Sequence, residues 1–386
     1  MKYRRFGKLN WNVSALGFGA MRLPTTGTDR TIDEAESIRM IRYAIDNGVN
    51  YLDTAYHYGE GRSEIIVGKA LKDGYREKIR LATKMPIREV NIPQDLDKIF
   101  DDQLMKLQTD QIDFYLFHGL RKESWLKIKE INAIAWAEKK IAEGRIGHLG
   151  FSFHDTFEVL KEILDGYQGW EFFQMQYNYV DTESSSRTPG VKGLKYAAQK
   201  GLGVVVMEPV QGGNLAVKPP KEVETLLGKS KIDRGPADLA LQWVWNQPEV
   251  SLALSGMSNM NQVVENVASA DRSGPGVLTG DELKSISNIR DAFLNHGFIG
   301  CTACRYCQPC AQGVTIPEIL ALYNDYYKNQ DDSLGQQEIR KQYEEIIDAV
   351  TGADKCIRCG QCEDACPQNL PIRNLLSRAN MSLTQK

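Results

Sequence analysis

Between residues 15 and 268, short apolar runs alternate with amphipathic stretches eight times. The runs cover 15–19, 49–53, 79–84, 112–118, 148–152, 172–177, 203–207 and 252–256, and each reads as a strand. The stretches between them carry helix signals. Thr31 and Glu34 are spaced as a capping box, Ile38, Ile41 and Ile45 then share one helical face, and Gly48 stands at the stop. Further helices are expected over 63–71, over 94–107 after Pro93, and as one long element over 122–143 that ends at Gly144. Others follow over 156–164, 191–199, 236–245 with proline at an early position, and 261–268. A hairpin precedes the first strand. Eight strand–helix units in about 270 residues fit the α/β class, as a (β/α)8 TIM barrel. An open doubly wound sheet would show G-x-G-x-x-G after its first strand. Gly17-Phe18-Gly19-Ala20-Met21-Arg22 lacks the third glycine and the following helix.

At 386 residues the chain exceeds what one core usually spans. A barrel over 1–280 and a second domain over 281–386 are expected. Residues 271–276 form a turn-rich linker, and a helix that can still pack on the barrel starts near Thr279. A net charge of −3 argues against a nucleic-acid partner. No apolar run reaches membrane-spanning length, so no membrane partner is expected. Residues 1–9 are polar and basic without an apolar segment, from which a cytoplasmic location is expected.

All eight cysteines follow residue 300. Cys301, Cys304, Cys307 and Cys310 form C-x-x-C-x-x-C-x-x-C, and Cys356, Cys359, Cys362 and Cys366 form C-x-x-C-x-x-C-x-x-x-C followed by Pro367. The second run has the spacing of bacterial ferredoxins. Three close cysteines hold three corners of a cubane, and the fourth cysteine of each run serves the other cluster. By that rule Cys301, Cys304, Cys307 and Cys366 hold one [4Fe–4S] cluster, and Cys356, Cys359, Cys362 and Cys310 hold the second. The alternative is two structural zinc sites of four thiolates, which typically use separated C-x-x-C pairs. Residues 316–328 and 336–350 between the runs read as helices, so this second domain is small, mainly α-helical and ferredoxin-like.

In a (β/α)8 barrel the active site lies at the C-terminal ends of the strands. Asp53 ends the second strand, Lys84 the third and His118 the fourth, and Tyr58 follows in a loop at the same face. Alone, each is more often structural; together they form a candidate catalytic set. A phenol has a reference pKa of about 10 and is a weak acid near neutrality. A lysine ammonium held by an aspartate lowers that value. His118 can orient a substrate oxygen. Such a site delivers a proton to a carbonyl oxygen while hydride, which no side chain donates, arrives from a cofactor.

Asp53-Thr54-Ala55-x-x-Tyr58, Lys84 and Ile112-Asp113-x-x-x-x-His118 resemble the tetrad of the aldo/keto reductases. The resemblance runs from about Lys2 to Ala270 and includes Leu16-Gly17-Phe18-Gly19, Gly147-x-x-Gly150-x-Ser152, Gln174-x-x-Tyr177-Asn178 and Glu265-Asn266. It implies that Tyr58 is the general acid, Lys84 and Asp53 its tuners, and His118 the substrate-orienting group. It also implies NAD or NADP lying extended across the barrel mouth. The contacts so implied are Gly19, Ala20 and Met21 after the first strand, Asp53 after the second, Ser152 and Gln174 after the fifth and sixth, and Glu208, Pro209, Gly212 and Leu215 after the seventh. Around the eighth they are Ser255, Gly256, Met257, Gln262 and Asn266. Four positions depart from the family pattern. Phe153 follows Ser152 where asparagine is usual, and Met207 stands where an aromatic ring stacks on nicotinamide. Gly256 and Gln262 replace the Lys and Arg of NADP-preferring members. The missing cations argue against NADP preference, although a phosphate can sit at the helix start near Ser258 and Asn259.

The expected activity is therefore reduction of a small-molecule carbonyl, or oxidation of an alcohol, with a nicotinamide cofactor. The tail moves single electrons, and a redox partner protein such as a ferredoxin is implied. Hydride carries two electrons and a cluster one; the altered nicotinamide site leaves room for a flavin to mediate. The rival readings are a redox-sensing or docking protein built on an inert barrel, and an enzyme whose clusters are only structural.

Overall fold

The computed structural model describes residues 1–27, 31–216, 219, 221–229, 234–295, 298–329, 332–349 and 352–384. The chain forms two compact units, Met1–Pro209 with Asp238–Leu278, and Val210–Ala237 with Thr279–Lys386.

The first unit is a closed, all-parallel barrel of eight strands. These are β1 (Leu16–Gly19), β2 (Tyr51–Asp53), β3 (Arg80–Met85), β4 (Ile112–Leu120), β5 (Ile146–Phe153), β6 (Phe172–Gln176), β7 (Gly203–Met207) and β8 (Leu252–Gly256). Neighbours in sequence are neighbours in the barrel, and β8 closes onto β1 with Ala253 beside Leu16. The strands are short, nearly all-apolar runs because helices cover them outside and packed side chains fill them inside. The N-terminal hairpin, Tyr3–Arg5 against Asn12–Ser14, brings Phe6 and Trp11 to the beginnings of the strands. Phe6 lies 4.9 Å from Phe114, which meets Phe172 edge-on at 5.1 Å. This aromatic plug fills the barrel's N-terminal end, and the C-terminal ends carry the titratable residues.

Two local expectations are corrected. Thr31 pairs with Thr26 in a two-residue strand, and Asp33 caps the helix Glu34–Asp46, its carboxylate accepting from Glu36 N at 3.0 Å. Asp and Thr are both competent caps, Asp the better, and the strand pairing takes Thr31 out of contention. The long helix over 122–143 is two, Lys122–Glu130 and Ala133–Ala142, because Asn132 turns left-handed at φ 54°. Asparagine tolerates that region better than most side chains.

In the second unit, Ile316, Ile319, Leu320 and Tyr323 of the helix Ile316–Lys328 form one buried stripe, joined by Tyr343, Leu376 and Ala379 from the helices Ser333–Ala349 and Ile372–Thr384. The helix expected over 336–350 begins earlier, at Ser333, and Val350 lies outside the described residues. The helix Gly280–Asn295 opens with a capping box. Thr279 N donates to Glu282 at 2.8 Å and Glu282 N donates to Thr279 Oγ1 at 3.2 Å. It packs on Lys221–Lys229, an element of the excursion after β7. That excursion, Val210–Ala237, belongs to the second unit, a grouping that the sequence reading did not anticipate. Asn214 Nδ2 donates to Cys301 O at 3.0 Å, and at Gly212 (φ 67°) a Cβ would lie 2.6 Å from Thr302 Cβ. Only glycine fits there.

Candidate active site and cysteine cluster sites

Asp53 is the last residue of β2, and Lys84 stands one residue before the end of β3. Both are 1% exposed. Lys84 Nζ donates to Asp53 Oδ1 at 2.5 Å, Thr54 O at 2.8 Å and Tyr58 Oη at 3.3 Å. An ammonium has three N–H groups, a neutral amine two. Three acceptors therefore hold Lys84 charged, against the burial that pushes it down; burial likewise pushes Asp53 up, opposed by Lys84. The Tyr58 and His118 rings meet edge-on at 6.0 Å. His118 is held well below the ordinary histidine range, first by burial, then by Lys84, His154, His57 and Arg88. It is thus neutral at pH 7, able to donate from one nitrogen and accept at the other. Next to it β4 is irregular: Gly119 has φ 64°, a Cβ there would touch nothing, and Gly119 N donates to Ser152 Oγ at 2.8 Å. The four residues expected to act together do converge.

Behind them lies a buried network that the sequence did not flag. Glu64, fully buried, accepts from Thr83 Oγ1 at 2.6 Å and from Gln103 Nε2 at 2.8 Å. Gln103 also donates to Lys84 O at 3.0 Å and accepts from Tyr115 Oη at 2.6 Å. Burial raises the Glu64 carboxyl. These bonds fix the backbone from which Lys84 reaches the phenol. On a helix of mixed composition, Glu64 reads as an ordinary solvated carboxylate, and only the long-range contacts distinguish it.

The expected cofactor contacts divide. Gly256, Gly19 and Asp53 lie in one row across β8, β1 and β2, with Ala20 and Met21 in the turn that follows β1. Ser152 and Gln174 are paired across β5 and β6, and Gln174 is 2% exposed with an Oε1 that has no hydrogen-bond partner. An orphaned buried acceptor at this position suits a carboxamide N–H. Glu208 has φ 54°, and its carbonyl accepts from Asn178 Nδ2 at 3.2 Å before Pro209. Asn266 Nδ2 donates to Ser255 Oγ at 3.1 Å. Met257 is fully buried. Gly212 and Leu215 belong to the second unit. At the helix start expected to take a phosphate, Gln262 Oε1 already accepts from Ser258 N at 2.8 Å and Asn259 Oδ1 from Gln262 N at 3.0 Å. The structure adds a cation there. The stem of Arg22 lies over Gly256, its Cγ and Cδ 3.2 Å from where a Cβ would stand. Gly256 thus leaves space for an arginine from the turn that follows β1, which a reading of β8 alone missed.

In the second unit, a cavity of about 140 Å³ is lined by Cys307 and Cys310 of the first run and by Cys356, Cys359 and Cys362 of the second. Cys307 is pushed up to about 12 by burial first, and then by its neighbours Cys304, Cys301 and Cys366. Eight free cysteines in one unit are a soft sulfur donor set that suits iron–sulfur clusters.

Among the described residues no helix is long and apolar enough to cross a membrane. The family model described as "Aldo/keto reductase family" matches residues 15–289, and "4Fe-4S dicluster domain" matches residues 300–370. Aldo-keto reductase AKR11C1 from Bacillus halodurans, in its holo form, is 32% identical with a TM-score of 0.62, covering 75% of this chain and 96% of its own. An aldo-keto reductase from Klebsiella pneumoniae in complex with NADPH is 25% identical with a TM-score of 0.57, covering 75% and 95%. Aldo-keto reductase YhdN from Bacillus subtilis is 28% identical over 298 residues, 68% of this chain and 87% of its own. These likenesses favour an oxidoreductase over a sensor built on an inert barrel. The chain belongs to the aldo/keto reductase family and carries a 4Fe–4S dicluster domain in the sequence that follows its barrel.

Proposed function

We propose that the barrel reduces a small-molecule carbonyl with a nicotinamide cofactor, with Tyr58 as the general acid. One observation carries this reading: the buried Lys84 ammonium bonds at once to Asp53, Thr54 O and the Tyr58 phenol. Ser152 and Gln174 would hold the nicotinamide carboxamide, and Gly19, Ala20, Met21, Glu208 and Pro209 the rest of its half. Ser255, Gly256, Met257, Gln262 and Asn266 would flank the adenosine half, and Arg22 beside Gly256 supplies a cation compatible with NADP. Gly212 and Leu215 follow by family resemblance alone. The nicotinamide supplies hydride when bound. Tyr58 passes its proton to the carbonyl oxygen as the carbon gains hydride, so the C=O π bond gives way to C–H and O–H. Lys84 stabilises the charge left on the phenolate, Asp53 keeps Lys84 in place, and neutral His118 donates to the carbonyl oxygen and fixes its direction.

In the tail, Cys301, Cys304, Cys307 and Cys366 would hold one cluster and Cys310, Cys356, Cys359 and Cys362 the other. The clusters supply one-electron steps when bound. Two together match in number the two electrons of a hydride, for exchange with a redox partner such as a ferredoxin. Two solved relatives from Klebsiella pneumoniae are complexes with NADPH and with NADP, and the reading follows them in taking up a nicotinamide nucleotide and no flavin. The test is Tyr58→Phe in the cluster-loaded protein, assayed anaerobically with NADPH and NADH against a panel of aldehydes and ketones. Loss of carbonyl reduction by a factor of about 10² or more with nucleotide affinity unchanged is expected. Undiminished turnover overturns the assignment.

A further inference from the structure

Ser63 opens the helix Ser63–Ala70, behind the loop that carries Tyr58, and it is fully buried. Its N–H and its hydroxyl are both spent on residues next to a reacting group. The N–H donates to Tyr58 O at 3.0 Å. The hydroxyl donates at 2.8 Å to Ala20 O, in the turn Ala20–Arg22 that follows β1. The same oxygen lies 2.9 Å from Thr54 Oγ1. A serine hydroxyl carries one hydrogen and a carbonyl carries none. The Ser63 hydrogen therefore goes to Ala20 O, and Thr54 is the donor in the third bond. Thr54 is also fully buried, and its carbonyl accepts from Lys84 Nζ at 2.8 Å. One directed chain, Thr54 Oγ1–H to Ser63 Oγ–H to Ala20 O, thus links the residues that follow β2 and β1, with both hydroxyls shielded from water.

We propose that Ser63 is a positioning residue that couples the turn after β1 to the loop bearing Tyr58, so that hydride donor and proton donor keep a fixed spacing. The inference rests on the carbonyl reduction proposed above, in which Gly19, Ala20 and Met21 hold part of the nicotinamide half. Fully buried, Ser63 acts through Ala20, Tyr58 and Thr54 and not on the reactants. Reduction requires the carbonyl carbon and oxygen to meet their two donors at once, and a misplacement of about 1 Å can cost on the order of 10² in rate. Hydroxyls bonded in series away from water polarise one another, and a buried group that loses its partner is left at a cost. Nucleotide bound on the turn would thereby steady the Tyr58 loop, and a loop out of place would be felt at the turn.

The experiment uses the cluster-loaded protein. Ser63→Ala and Thr54→Val break the chain, and Thr54→Ser keeps its hydroxyl. Thr54→Val preserves side-chain shape and guards against a Ser63 variant that fails to fold. Reduction of aldehydes and ketones is measured with NADPH, and backbone hydrogen exchange is followed by mass spectrometry with and without NADPH. Both broken variants are expected to lower kcat at least about tenfold with carbonyl KM and NADPH Kd within about twofold of wild type, and Thr54→Ser to restore kcat to within about threefold. NADPH is expected to slow exchange over both 19–22 and 54–63 in the wild type, and over 19–22 alone in Ser63→Ala. Unchanged kcat in both broken variants, a loss shared by KM and Kd, or the same exchange response over 54–63 with and without the Ser63 hydroxyl overturns the coupling while carbonyl reduction stands. No turnover in the wild type, with the exchange response over 54–63 still dependent on Ser63, overturns the proposed reaction and retains the coupling.

Discussion

Lys84 and Asp53 form an ion pair removed from water, and such a pair is strong only while both partners remain. Lys84→Met leaves a carboxylate 1% exposed without its cation. This should destabilise the barrel by roughly 3–5 kcal/mol, and Asp53→Asn added to it should restore part of the loss. Urea unfolding of the single and double variants measures both. A second prediction concerns His154, whose folded-state pKa of about 3 lies below the unfolded value of about 6.5. Between those values the unfolded chain binds the extra proton, so stability is lost as pH falls below about 6.5. Wild-type stability should drop by on the order of 1 kcal/mol between pH 7 and 5 relative to His154→Gln, as urea midpoints at the two pH values would show. The tetrad was readable in the sequence because each member ends a strand or follows one. Glu64, Gln103 and Tyr115 were not, because their roles come only from contacts between β3, β4 and two helices.

Elements were placed well where their limits are local. The expected strands coincide with the observed ones to within a few residues, since a short run of buried apolar side chains suits a barrel strand and little else. The ends of the first and fourth helices differ for reasons of competition. Asp33 and Thr31 are both competent caps, and a two-residue strand claims Thr31. Asp33→Ala should cost about 1 kcal/mol in thermal or urea unfolding, and Thr31→Ala only a few tenths. The helical periodicity over 122–143 continues across Asn132, and the break there reflects a left-handed residue that the period does not register. The excursion after β7 is the largest departure at this scale. Its own pattern is that of a loop and a short helix, and its grouping with the C-terminal residues rests on packing at Thr302 and Glu282.

At the scale of the whole molecule, the two cysteine runs of four can each hold a cluster alone or exchange their last cysteine. If the fourth cysteine of each run serves the other cluster, Cys310→Ser should abolish the cluster of the second run and spare that of the first. Iron content should fall from about eight to about four per chain, with one electron-paramagnetic signal lost after reduction. Loss of the first-run cluster instead would show that each run holds its own. The sequence by itself determined the barrel, the strand-end positions of the tetrad and a 4Fe–4S domain in the tail, because periodicity, strand-end position and cysteine spacing are properties of neighbouring residues. Tertiary structure alone decided the rest: the network that steadies Lys84, the arginine over Gly256 and the grouping of Val210–Ala237 with the C-terminal residues. Each depends on atoms brought together from distant parts of the chain, and no local pattern encodes which distant surfaces will meet.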